Sequence, residues 1–122
     1  MSLHRQKLGA WGESVARTYL AANRFDIVAQ NWRCARGEID VVALRDETWH
    51  FIEVKTRRGR TRGSPEEAIT PRKARQLLPT ALLFLSQHDL DEVAWQIDLI
   101  AVELDPAGKL LRCELIPDFI QG

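Results

Sequence analysis

Missing from this chain is any long apolar run: the longest, Ala81 to Leu85, is far too short to cross a bilayer. Leu3 to Ser14 mixes polar and apolar residues and lacks the continuous apolar stretch of a signal peptide. The expectation is therefore a cytoplasmic protein with no membrane partner. Cysteine is scarce as well. Cys34 and Cys113 show neither metal-ligand spacing nor a redox motif, so reduced thiols are expected rather than a disulfide framework or a zinc site. Internal repeats, low-complexity tracts and linkers are absent too. A chain of 122 residues, 45% of them apolar, is expected to form one domain over residues 1–122.

Net charge is also lacking, since 17 basic and 17 acidic residues cancel. Their distribution is uneven. Residues 1–75 carry a formal +6 and residues 76–122 a formal −6. Lys55, Arg57, Arg58, Arg60 and Arg62 crowd into one stretch, and Arg72, Lys73 and Arg75 follow closely. Such asymmetry points to a polyanionic partner for the first part of the chain.

Leu8, Trp11, Val15, Tyr19 and Leu20 recur at helical spacing, which predicts a helix from about Gln6 to Asn23 with Leu8, Trp11, Val15 and Tyr19 as its core stripe. Phe25 to Arg33, Glu38 to Leu44 and Thr48 to Thr56 read as three strands, joined by turns at Arg36-Gly37 and Arg45-Asp46-Glu47. Arg57 to Gly63, rich in arginine and glycine and without periodicity, reads as an exposed, mobile loop. Ser64-Pro65-Glu66-Glu67 has the pattern of a capping box, and Thr70-Pro71 repeats the start signal for a helix running to about Gln87. Pro79 should kink or divide that helix near Leu78, because it removes a backbone donor. Val93 to Leu104 and Lys109 to Ile116 complete the order α, β, β, β, α, β, β as a hairpin turning at Asp105 to Gly108.

Three residues stand out chemically. Successive strand side chains alternate between faces, so Glu53 shares a face with Lys55, and Glu38 with Asp40. A tight turn near Asp46 would bring Asp40 opposite the Glu53 region. Mg²⁺ takes hard oxygen ligands and keeps several waters, so two carboxylates beside a phosphate suffice to bind it. A neighbouring ammonium can stabilise charge that develops in a phosphoryl transition state. Asp40, Glu53 and Lys55 are thus candidate catalytic residues, with Mg²⁺ or Mn²⁺ as the implied cofactor. A plain Glu53–Lys55 ion pair is the competing explanation, although Trp49 and Phe51 on the same face suggest burial, where an unpaired carboxylate is costly. Glu13, flanked by Gly9 and Gly12 on the first helix, is a further candidate ligand. Two glycines in a helix interior suggest that a backbone or ligand approaches closely there. Arg57, Arg58, Arg60, Arg62, Arg72 and Lys73 are candidate nucleic-acid contacts, because guanidinium and ammonium groups grip phosphates. His4, His50 and His88 show no pattern. Trp11, Trp32, Trp49 and Trp95 read as core.

The blocks Gly9-x-x-Gly12-Glu13-x-x-Ala16, Asn31-x-Arg33, Gly37-Glu38-Ile39-Asp40 and Phe51-Ile52-Glu53-Val54-Lys55-Thr56-Arg57, with Gly63 and Asp98, resemble the YraN-type family of small uncharacterised bacterial proteins. That family is similar in motif to the PD-(D/E)xK nucleases, archaeal Holliday junction resolvases among them. The resemblance implies a restriction-endonuclease-like α/β fold with an αβββαβ core, a mixed central sheet flanked by helices, and Mg²⁺-dependent cleavage of phosphodiester bonds. It also implies that Asp40 is the motif aspartate, that Glu53 and Lys55 are the (D/E)xK pair, and that Glu13 is the acid of the first helix. Where the family has Arg-Phe-Asp this chain has Gln96-Ile97-Asp98, so an arginine contact is missing and the role of Asp98 stays open, with satisfying neighbouring backbone groups as the simplest one.

The leading expectation is a nuclease acting on branched or otherwise structured DNA. Enzymes of that kind present two sites as symmetric dimers, which adds a homodimer to the expectations. Two alternatives stay open: a nucleic-acid-binding module that does not cleave, and an interaction protein whose carboxylates are merely ion-paired.

Overall fold

The structure, a computed structural model, describes residues 3–120, with side chains from residue 7 onward, so the His4 side chain lies outside it. The elements are α1 (Leu3–Ala22), β1 (Asp26–Cys34), β2 (Gly37–Arg45), β3 (Thr48–Arg58), α2 (Pro71–Gln87), β4 (Ala94–Leu104) and β5 (Leu110–Ile116). They follow the expected order. The strands form one sheet in the order β1-β2-β3-β4-β5, antiparallel except for β3 and β4. A parallel neighbour cannot be reached by a hairpin, and α2 provides the crossover it requires.

Each face of the sheet is covered by one helix. Ala16 and Leu20 of α1 pack with Val41, Ala43, Ile52, Val54, Ile100 and Val102, while Leu77, Ala81, Phe84 and Leu85 of α2 pack with Ile39, Val42, Phe51 and Ile97. Burying each large side chain contributes roughly 1.5–3 kcal/mol, so the two clusters hold the layers together. This is the mixed α/β sandwich expected of a restriction-endonuclease-like core.

Local signals explain the junctions. Asp46 and Glu47 both have positive φ, at 49° and 64°, the geometry of a two-residue hairpin turn that fixes the register of β2 on β3. Ser64 and Glu67 exchange the reciprocal bonds of a capping box around a short 3₁₀ turn, and Thr70 Oγ1 accepts from the Lys73 backbone at the start of α2.

Four expectations need correction. The buried stripe of α1 is Gly12, Ala16 and Leu20, whereas Leu8, Val15 and Tyr19 are only partly buried and Trp11 is exposed. The reason at Gly12 is distance: a Cβ there would stand 1.8 Å from Thr56 Oγ1, so α1 lies too close to β3 at that point for any side chain. Trp11 is consequently not core, although Trp32, Trp49 and Trp95 do pack around the α2 cluster. Pro79 lies within an undivided α2, because Leu77, Thr80, Ala81, Phe84 and Leu85 are anchored on the sheet and outweigh one missing bond. The basic segment is irregular and exposed from Arg60 to Arg62, as expected, but it starts later than expected and is anchored at its beginning. Arg57 and Arg58 belong to β3, Gly59 N donates to Leu104 O at 2.9 Å, and Arg60 pairs with Glu103 at 2.6 Å.

Candidate active site

The hairpin register pairs Val41 with Ile52, and one further step along both strands brings Asp40 to Glu53. The backbone ladder stops there. Asp40 Oδ2 instead accepts a hydrogen bond from Val54 N at 2.8 Å, a side chain taking over where the strand partner ends. The alternation of β2 also breaks at this point: Ile39 and Val42 join the α2 cluster, while Val41 and Ala43 join the α1 cluster. Facing the break on β1 is Asn31, whose φ of 51° is a left-handed conformation that asparagine tolerates better than most residues.

The splayed strands open into a cleft of about 1150 Å³ that α1 and α2 also reach. Glu13, Glu38, Asp40 and Glu53 line it, together with Lys55, Arg57, Arg58, Arg62 and Lys73. All four residues singled out for chemistry therefore share one cavity. Arg60 and Arg72 do not line it. The Arg60 guanidinium is taken up by Glu103, which also holds Arg112 at 2.6 Å.

Glu53 is the buried centre of the site. Lys55 Nζ stands 3.5 Å from its Oε1, and Lys73 Nζ, from the first turn of α2, stands 3.6 Å from its Oε2. Neither ammonium fully compensates the carboxylate. Oε2 is buried without a hydrogen-bond donor, and Lys73 neutralises it only through charge. Burial, then the nearby Asp40 carboxylate, pushes the Glu53 pKa up to about 7 against the pull of both lysines. Asp40 is likewise raised, by burial first, with the Val54 N–H and Lys73 opposing. Glu13 is raised by burial and by the Asp40 and Glu38 charges. Its Oε1 accepts from the Asn31 amide at 3.0 Å, and the same amide reaches Glu38 Oε1 at 3.2 Å.

Among the described residues no three of His, Cys, Asp or Glu converge closely enough to hold a metal ion unaided. Glu13 therefore borders the site without completing a closed ligand set with Asp40 and Glu53. Two desolvated carboxylates and an open buried oxygen nevertheless fit Mg²⁺ or Mn²⁺, which bind with one or two carboxylates, waters and a substrate phosphate. Arg57 offers the complementary feature. Its Nε is buried and has no acceptor, unlike Arg58, which donates to Pro106 O at 3.0 Å.

Several features escaped the sequence reading. The bridging role of Asn31 depends on a strand irregularity, and Lys73 reaches Glu53 only because α2 crosses over the sheet. His50 Nδ1 lies 2.6 Å from Asp98 Oδ2, buried together, while Asp98 Oδ1 accepts from Gln96 Nε2 and Asp118 N. Asp98 thus satisfies a neighbouring backbone group, as expected, and orients a histidine as well. His88 caps Phe84 O and stacks on the Phe84 ring. Cys34 on β1 and Cys113 on β5 are free thiols at opposite edges of the sheet. No described helix is long and apolar enough to cross a membrane.

The model of the uncharacterised protein family UPF0102 matches residues 12–102. A UPF0102 protein of Roseiflexus castenholzii is 42% identical over 96% of this chain and 95% of its own length. One from Geobacter metallireducens is 43% identical over 97% and 95% respectively, and one from Symbiobacterium thermophilum is 40% identical over 91% and 93%.

Proposed function

The chain belongs to the uncharacterised family UPF0102, the YraN-type family its motifs resemble, and from that premise and its cleft we propose a metal-dependent nuclease that hydrolyses phosphodiester bonds. One observation carries the reading. Glu53 Oε2 is a buried acceptor without a donor, and Arg57 Nε is a buried donor without an acceptor, and both residues line the same cleft. A buried polar atom left unpaired costs roughly 1–3 kcal/mol. A cation beside Glu53 and a phosphate beside Arg57 would satisfy both at once.

In this reading Asp40 and Glu53 hold Mg²⁺ or Mn²⁺. The chemistry such an ion supplies is polarisation of a phosphoryl oxygen and a lowered pKa for the attacking water. Lys55, tethered beside Glu53, stabilises the charge that develops on the phosphate. Arg57 grips the phosphate from within the cleft, and Arg58 and Arg62 extend the grip along the backbone. Glu13 borders the two carboxylates, and burial together with the Asp40 charge raises its own pKa. The substrate we propose is branched or structured DNA, and the location cytoplasmic.

The ion-pair alternative explains the contacts of Lys55 and Lys73 with Glu53 but leaves Glu53 Oε2 without a hydrogen-bond donor and Arg57 Nε without an acceptor. The alternatives separate on Lys55→Ala. It should reduce cleavage by about 10²-fold or more, the scale of losing one transition-state contact, while DNA binding stays within a few-fold because the arginines remain. Cleavage at the wild-type rate would remove Lys55 from the chemistry.

A further inference from the structure

Lys73 differs from the other basic residues of the cleft in where it comes from. It projects from the first turn of α2, across the crossover, and lies 3.6 Å from Glu53 Oε2, while Lys55, on the same strand as Glu53, lies 3.5 Å from Oε1. The two carboxylate oxygens are thus divided between ammonium groups from different elements. At the Lys73 side there is charge without a hydrogen bond, because Oε2 has no donor. The Lys73 side chain is also 27% exposed, so it has open cleft to move into.

Helix formation does not account for a lysine here. The first turn of α2 contains no acid and carries Arg72 and Lys73, two cations at the positive end of the helix dipole. Lys73 is therefore placed against local preference, next to a buried oxygen that it neutralises without binding. A counter-ion held only by charge is displaced more easily than one held by a directional bond.

We propose that Lys73 is the counter-ion of Glu53 Oε2 in the metal-free protein, that a divalent cation and the Lys73 ammonium exclude one another at that oxygen, and that the displaced ammonium turns to the substrate phosphate. This deepens the reading of the cleft as a metal-dependent phosphodiester site and rests on it. Lys73 then opposes metal binding in the free protein and favours nucleic-acid binding only once the cation is present, which couples the two ligands.

The test is calorimetric titration of Mn²⁺ at pH 8 into wild type, Lys73→Gln, Lys73→Arg and Asp40→Asn, with folding checked by circular dichroism. Binding of a short DNA duplex is then measured with and without Ca²⁺. The expected result is Mn²⁺ affinity roughly five-fold or more higher in Lys73→Gln, with Lys73→Arg close to wild type. Lys73→Gln should also weaken DNA binding in Ca²⁺ and leave it unchanged without the cation. Mn²⁺ binding that is lost in Asp40→Asn but unchanged or weaker in Lys73→Gln overturns the exchange and leaves the metal site standing. An equal loss of DNA affinity with and without Ca²⁺ also overturns it. Failure of wild type to bind Mn²⁺ overturns both the exchange and the metal reading beneath it.

Discussion

Glu53 keeps only 3% of its side chain exposed and sits between two lysines, yet burial and Asp40 hold its pKa near 7. The ordinary value is 4.5, so between about pH 4.5 and 7 the folded protein binds a proton that the unfolded chain has released. Stability therefore falls as pH rises through that window and stays lowered above it. Glu53→Gln removes the charge at nearly constant shape. Thermal denaturation should find it more stable than wild type by roughly 1–3 kcal/mol at pH 8 and nearly equal at pH 5. A variant less stable than wild type at pH 8 would mean that the two lysines outweigh the burial of the charge. The convergence was legible here: strand alternation and a short turn, both local properties, bring Asp40, Glu53 and Lys55 together. Lys73 could be read only as part of a basic track, because its partner lies on a strand twenty residues earlier and meets it only through tertiary packing.

Among the elements, α1 shows best what pattern reading finds and misses. Its existence was plain from helical periodicity, but its buried face was assigned to the large residues Leu8, Trp11, Val15 and Tyr19. The contact line is in fact Gly12, Ala16 and Leu20, because Thr56 on β3 leaves no room for a side chain at Gly12. Periodicity in apolar residues does not report a close approach, but the glycines did: the approach expected from Gly9 and Gly12 is met at Gly12 against Thr56 and not at Gly9, which has open space around it. The two glycines of this helix should separate cleanly in urea denaturation. Gly12→Ala forces the helix off the sheet and should destabilise by about 1–3 kcal/mol, the scale of overpacking a core. Gly9 has nothing within 4 Å of an added Cβ, so Gly9→Ala should stabilise by roughly 0.5–1 kcal/mol through helix propensity alone. Similar losses in both variants would contradict the close contact. The start signals at Ser64, before the 3₁₀ turn, and at Thr70, before α2, are realised as hydrogen bonds, and of the kink or division expected at Pro79 the division is absent. Capping is decided within a few residues, but the fate of a proline depends on how firmly the rest of its helix is packed.

At the scale of the molecule, the charge asymmetry of the sequence resolves into a basic cleft with an acidic floor. The carboxylates come from α1, β2 and β3, and the cations from α1, β1, β3, the segment after it and α2. A sheet with one helix on each face brings these elements to one opening where β2 and β3 part. We propose that this opening cleaves nucleic acid with a divalent ion bound at Asp40 and Glu53. The most direct measurement compares wild type and Asp40→Ala on duplex, flap, single-stranded and four-way-junction DNA, each with Mg²⁺, with Mn²⁺ and with chelator. Wild type is expected to cleave at least one structured substrate in a metal-dependent way, and Asp40→Ala to abolish that cleavage. Cleavage that persists in Asp40→Ala, or no cleavage of any substrate with either metal, would contradict it.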